Sequence, residues 1–277
     1  MSLDFPVSDV AIHYTNNRIA KLHSPKMDYP GFQVSETVFF LEIPQVASYL
    51  ARNGNEVLIC PGEHADPASV RLFLAGSVFG ALLHQQCILP LHGSSFRFHG
   101  KGIVICGISG SGKSSVVAAF CQQEGQFIND DITPIKVGDD RTTIMAIQTR
   151  LKLWDDTLTK LKLSNDDLER IRPSMEKFYL PGKEAPVDDQ NLDQILILST
   201  HNKDEYCIKE LGGLDKYNAI RSQIYRKIYL KGMPETAKIY FKQMLKLSTQ
   251  ISIKVVTRPQ ICSINDTMEF IKKEIER

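Results

Sequence analysis

Residues 103 to 115, Ile103-Val104-Ile105-Cys106-Gly107-Ile108-Ser109-Gly110-Ser111-Gly112-Lys113-Ser114-Ser115, decide how this 277-residue chain is read. Ile103 to Cys106 reads as a buried strand, and Val116 to Phe120 continues into a helix. Between them Gly107, Gly110 and Gly112 carry no side chains, so successive backbone N–H groups can turn inward around a polyphosphate, and the positive end of the helix faces the same anion. The spacing is GxxxxGK[ST]. It assigns Lys113 to the β- and γ-phosphates and the Ser114 hydroxyl to a bridging Mg2+, with Ser109, Ser111 and Ser115 completing the cradle.

Working outward, residues 1–65 alternate short apolar runs (Val7 to Tyr14, Thr37 to Ile43, Val57 to Cys60) with turn pairs such as Pro30-Gly31 and Asn53-Gly54. This predicts a β-rich N-terminal region over 1–65 ahead of a larger domain over 66–277. Asp66-Pro67 is an N-cap followed by a first-turn proline, and Val70, Phe73, Leu74, Val78, Ala81 and Leu82 recur at helical spacing, so a buried helix is expected to Gln86, packed on the sheet that carries the glycine loop. Leu89 to His92, Ser95 to Phe98 and the turn at His99-Gly100 form a hairpin feeding that loop. Phe127-Ile128 begins a strand ending at Asn129-Asp130-Asp131. Further on, Pro234 opens a helix whose buried stripe is expected to be Ala237, Tyr240, Phe241, Met244 and Leu247.

Composition narrows the function classes. Lysine plus arginine number 33 against 32 acids, so no global charge draws nucleic acid or a membrane surface. Lys216 to Arg258 is locally basic, with Glu235 its one acid, and reads either as a solvated helix face or as a site for an acidic partner. The six cysteines show no CxxC pair and read as reduced core residues. Met1 to Pro6 lacks the basic and apolar regions of a signal peptide, and Leu72 to Leu83 is shorter than a membrane span, so a cytoplasmic protein is expected. Asn202-Lys203-Asp204 lacks the NKxD spacing of GTPases, which makes ATP the expected nucleotide.

The loop alone says "nucleotide"; the reaction depends on what stands beside it. Read by themselves, Asp130-Asp131 are a turn pair, a metal site or a general base, His92 is a hairpin cap or an active-site group, and Arg150 is a surface charge. Their order, Leu91-His92-Gly93-Ser94, then the glycine loop, then Asn129-Asp130-Asp131, resembles the catalytic domain of the HPr kinase/phosphorylase family and its shorter serine-kinase relatives of peptide-modification pathways. The resemblance covers about residues 66–277 and includes Leu83-His84-Gln85-Gln86 and Arg150-Leu151-Lys152-Leu153-Trp154.

It implies an α/β fold of the phosphoenolpyruvate-carboxykinase-like kind, a mixed sheet flanked by helices, and an ATP- and Mg2+-dependent serine kinase. Asp130 would take the proton from the acceptor hydroxyl, Asp131 would assist at the metal or the base, His92 would sit beside Asp130, and Arg150 would contact phosphate. The acceptor would be a serine of a peptide or small protein, and a homo-oligomer is implied by the hexameric relatives. Where the bifunctional enzymes carry Glu-Ile-Arg-Gly-Leu-Gly, this chain has Gln148 to Leu153, so Gln148 stands nearest the metal-binding glutamate and the reverse phosphorylase activity is not implied. A free-serine kinase, or a nucleotide-binding regulator without catalysis, would use the same loop.

Overall fold

The computed structural model describes residues 10–147, 150–182 and 188–276. By internal contacts the chain divides into two units, Met1–Pro90 with Ile171–Ser174 and Ile224–Gln243, and Leu91–Arg170 with Met175–Gln223 and Met244–Arg277. The chain first passes from one unit to the other after Pro90.

The first unit holds β1 (Ala11–Tyr14), β2 (Met27–Tyr29), β3 (Phe32–Ser35), β4 (Val38–Ile43), β5 (Ala47–Arg52) and β6 (Glu56–Pro61), in the order β1-β6-β5-β4-β3-β2. Neighbours pair antiparallel except β1 with β6. Successive strand residues face opposite sides. Phe40 packs with Ile19 and Leu50, while the Phe39 ring lies 4.7 Å from that of Tyr229. Both faces are covered, which is why β4 reads as an apolar run rather than an alternation.

Asp66 caps α1 (Pro67–Phe73) by accepting from the Ala68 and Ser69 N–H groups, and a π-type turn, Leu74–Val78, joins it to α2 (Phe79–Gln85). This run packs on the N-terminal sheet, not on the sheet that carries the glycine loop: Tyr49 of β5 donates to the Val70 carbonyl at 3.0 Å, and Gly54 N–H donates to Gln85 Oε1 at 2.7 Å. An amphipathic stripe states that a face is buried but not against which partner. The run is also longer than the Leu72–Leu83 core read from sequence. At 19 residues it is long and apolar enough to cross a membrane, yet 67% of its apolar window is buried inside the structure, as in a core helix.

The second unit is mixed α/β. Its elements in chain order are β7 (Leu89–Phe98), β8 (Lys101–Gly107), α3 (Lys113–Gln122), β9 (Gln126–Asn129), β10 (Ile132–Val137), β11 (Thr142–Ile144), β12 (Arg150–Trp154), α4 (Asp155–Lys160), β13 (Lys177–Pro181), β14 (Gln190–Asn191), β15 (Gln194–His201), β16 (Cys207–Glu210) and α5 (Gly213–Ser222). The helix α6 (Pro234–Gln250), β17 (Ser252–Pro259) and α7 (Ile264–Glu276) close the chain. The expected hairpin is present, with β7 continuous through Gly93-Ser94. β8 continues into a nine-stranded sheet, antiparallel to β7 and parallel to β15, which is parallel to β17. Beneath it Phe96 stacks on Phe120 of α3 at 4.5 Å, and Ile105, Val117, Leu196 and Ile271 fill the same core.

On α6, Tyr240, Met244 and Leu247 are buried as expected, but Phe241 is 50% exposed. The six cysteines are free thiols, of which Cys106 alone is fully buried and Cys207 is exposed.

Candidate functional site

β8 delivers the chain to the glycine loop at Gly107, whose φ is +145°. A Cβ there would lie 2.6 Å from the Leu198 carbonyl oxygen of β15, so the residue lets the loop start against the neighbouring strand. Gly112 closes the loop at φ +97°, and α3 begins at Lys113. The Lys113 ammonium is folded back onto the loop, donating to the carbonyls of Gly107 (3.0 Å) and Ile108 (3.1 Å). Burial pushes its pKa below the ordinary lysine value, against the opposing pull of Cys106, Asp130 and Asp131.

β7 and β9 bring the polar cluster to the loop. Asp130 is 1% exposed. Its Oδ1 accepts from Ser94 Oγ at 2.5 Å and from Ser114 Oγ at 2.6 Å, and its Oδ2 accepts from the Lys152 backbone N–H at 2.9 Å. A carboxylate holding three donors in a buried setting is fixed in place.

Asp131 is built differently. Ile132 N–H donates to the Asp130 carbonyl at 2.9 Å, closing a one-residue turn in which Asp131 has φ +70°. That conformation is costly for a non-glycine residue and turns the second carboxylate away from the first. The Asp131 side chain is about a third exposed, its Oδ1 3.4 Å from His92 Nδ1 and its Oδ2 3.5 Å from the Lys152 ammonium. Burial works against its ionisation but is outweighed by Lys152, His92 and Lys177, so its pKa is held below the ordinary carboxylate value.

These groups open into a cleft of about 710 Å³, a usual size for a ligand site. One wall is the loop and the start of α3, with Ser109, Gly110, Gly112, Lys113, Ser114 and Ser115. A second is formed by β12, β13 and α4, and a third by the corner between β17 and α7, where Arg258 Nη2 donates to the Ser111 carbonyl at 3.0 Å.

Of the residues predicted from sequence, His92, Ser109, Gly110, Gly112, Lys113, Ser114, Ser115, Asp130 and Asp131 meet at this cleft. Gly107 lies beneath it, and so does Ser111, whose buried hydroxyl has no partner. His92, expected beside Asp130, has its Nδ1 3.0 Å from the carbonyl and 3.4 Å from the carboxylate of the next residue, Asp131. By the resemblance Arg150 is expected to contact phosphate. It pairs with Glu169 at 2.8 Å and lies over the Tyr179 ring at 4.2 Å, outside the cleft lining. Gln148 falls outside the described residues.

The basic stretch contributes Arg258 alone to the cleft lining among the described residues, while Lys238 and Lys246 are paired with Glu235 and Asp139. The other cations there, Lys152, Lys160 and Lys177, carried no role in the sequence reading. Lys152 had a legible signal, a lysine between leucines in an apolar strand. Lys177 had none, since only the β12–β13 register, Trp154 opposite Lys177, brings it in.

Among the described residues no three His, Cys, Asp or Glu side chains converge as a metal cage. Mg2+ does not need one. It binds through one or two protein oxygens and fills its shell with phosphate and water, and the Ser114 hydroxyl beside Asp130 fits that demand.

No protein-family model matches the sequence, and no curated protein matches it. Among solved structures the chain is similar to the Hpr(Ser) kinase/phosphatase from Coxiella burnetii, with 12% sequence identity, 68% of this chain and 93% of that chain covered, and a TM-score of 0.37. A likeness at that level leaves the chemistry of the cleft to be read from the cleft itself.

Proposed function

We propose that the chain is an ATP- and Mg2+-dependent kinase that transfers a γ-phosphoryl group to a serine hydroxyl of a peptide or small protein. The observation that carries this reading is the contact of Ser114 with Asp130 at 2.6 Å directly behind the glycine loop, with a second, more open carboxylate at Asp131. A hydroxyl and a carboxylate in that relation would hold Mg2+, which would offset phosphate charge, and Lys113 can exchange its loop carbonyls for phosphate oxygens.

The division of labour between the two aspartates differs from the one the family resemblance implies. Asp130 already accepts three hydrogen bonds and is buried, which supports a metal-side role. Asp131 opens to the cleft and is oriented by His92 and Lys152, which supports the role of proton acceptor. In the transfer the bond from the γ-phosphorus to the β–γ bridging oxygen breaks, the serine oxygen forms the new P–O bond, the serine proton passes to Asp131, and ADP leaves with the released electron pair. The loop amides and Lys113 stabilise the charge that develops, and Mg2+ held by Ser114 and Asp130 would add to this; such stabilisation supplies most of the acceleration in phosphoryl transfer.

The test is transfer of γ-labelled phosphate from ATP to a library of serine peptides and to free serine, with Lys113→Ala as control. Labelled peptide with the parent protein and none with Lys113→Ala is the expected result. Rapid labelling of free serine with silent peptides would replace the acceptor, and nucleotide binding with no transfer to any acceptor would replace the kinase by a regulator.

A further inference from the structure

Five cations line the cleft, and four of them are held by the protein itself. Lys113 lies on the carbonyls of Gly107 and Ile108, Lys152 faces Asp131, Lys160 pairs with Asp156 at 2.8 Å, and Arg258 donates to the carbonyls of Ser111 and Pro259. Lys177 is the exception. It opens β13, directly across from Trp154 at the end of β12, and its ammonium lies 5.5 Å from the centre of the indole ring. No carboxylate lies within ion-pair distance of it among the described residues; its charge acts on Asp131 from farther off. Trp154 is 48% exposed, a large apolar surface for a residue lining a polar cleft.

A cation on an aromatic face with no carboxylate in direct contact is a ready anion site, because the ring holds the ammonium in place without neutralising it. The wall that bears it is not the loop wall. Lys177 and Trp154 belong to the β12–β13 pair, which also carries Lys152, the lysine that reaches Asp131. An anion held there stands on the β12–β13 wall, where the charge of Lys177 reaches the proposed proton acceptor Asp131.

We propose that Lys177 and Trp154 form the acceptor-side subsite of the cleft and take a carboxylate of the serine-bearing peptide, with the indole face covering an adjoining apolar part of the chain. This rests on the kinase reading for the meaning of "acceptor", but the subsite itself is a matter of binding. It replaces the basic stretch 216–258 as the source of any preference for acidic peptides. An exposed charge contact of this kind changes affinity by about fivefold and weakens as salt screens it over ~8–10 Å.

Trp154 is the single tryptophan of the chain, so its emission reports this subsite and no other. The experiment titrates the full-length protein with three serine peptides of one core sequence: one with an acidic side chain and an amidated end, one with a free terminal carboxylate and no acidic side chain, and one neutral and amidated. The expected result is a saturable emission change for at least one carboxylate peptide, about fivefold weaker for the neutral one. The first two arms separate a side chain from a chain end as the source.

Lys177→Gln should remove the difference between charged and neutral peptides, and Lys177→Arg should keep it, with an unchanged melting temperature reporting an intact fold in both. Equal affinity of all three peptides would overturn the subsite, as would a preference that survives Lys177→Gln. So would Mg-ATP alone producing the same emission change and excluding the peptides, since the site would then belong to the donor. Carboxylate-selective binding without phosphoryl transfer to any peptide would leave this subsite standing and overturn the kinase reading instead.

Discussion

In the N-terminal unit three buried ring side chains are spent on backbone carbonyls: Tyr49 on Val70, Tyr240 on Ile88 at 2.7 Å, and His84 Nε2 on Tyr225 at 2.9 Å. At the cleft of the loop-bearing unit, charged side chains are spent on other side chains, Asp130 on Ser94 and Ser114, Asp131 on His92 and Lys152. The contrast is sharpest between two histidines close in sequence. His84 is fully buried, and burial drives its pKa down to about 4, whereas His92 stays a third exposed beside a carboxylate. Buried neutral groups that satisfy carbonyls hold a fold together. Convergent charges cost stability to assemble, and a chain that keeps them has a use for them.

The largest effect expected from this contrast lies in the charged cluster. Asp131→Asn should keep Mg-nucleotide binding and lose ~10²- to 10⁴-fold in transfer rate, the usual worth of a positioned general base. Asp130→Asn should instead weaken Mg-dependent nucleotide binding itself, because the serine at the metal loses its carboxylate. The measurements are nucleotide affinity with and without Mg2+ and single-turnover transfer for each variant. If Asp130→Asn binds normally and Asp131→Asn transfers normally, the two roles stand exchanged.

A smaller effect is expected from the neutral cluster, and it appears as acid sensitivity. His84 donates from Nε2, and its Nδ1 has no partner, so protonation has nothing to offer inside the fold. The unfolded chain takes up a proton near pH 6.5 while the folded one resists until about pH 4. Unfolding is therefore favoured as pH falls through that window, by up to about 3 kcal/mol, and the histidine gives no such penalty above pH 6.5. His84→Gln can still donate to the Tyr225 carbonyl but does not titrate. It should lose about 2–3 kcal/mol less stability than the parent between pH 7 and pH 4.5, read from chemical unfolding. Equal losses would mean that His84 is not the acid-sensitive group.

These contacts also show what the sequence can carry. The strand, glycine loop and helix were legible because their chemistry is local: the residues that shape the turn and those that face the anion lie within 13 positions, 103 to 115. The partner of His92 was not, because a one-residue turn at Asp131 decides which of two adjacent carboxylates points outward. Lys177 and Arg258 reach the cleft through strand register, which depends on partners far along the chain. The helical run Pro67–Gln85 was legible as a buried helix and misread in its partner, since periodicity fixes a face and not what covers it.

The same limit applies to α6, where the smallest effect is expected and the sequence gives the least help. Tyr240 and Phe241 are adjacent and were both assigned to the buried stripe, yet Tyr240 is fully buried and Phe241 half exposed. A 3.6-residue period turns 100° per position, so two neighbours cannot both sit at the centre of one apolar face. Tyr240 takes it, because its ring is buried while its hydroxyl reaches the Ile88 carbonyl, a bond that phenylalanine could not make. Tyr240→Phe should then cost about 1 kcal/mol, the usual net worth of such a bond plus the unpaired carbonyl it leaves. Phe241→Ser should stay within ~0.5 kcal/mol of the parent, as surface substitutions do. Thermal unfolding of the two variants beside the parent decides the matter, and a larger loss from Phe241→Ser than from Tyr240→Phe would mean that the exposed ring is covered in the folded protein in solution.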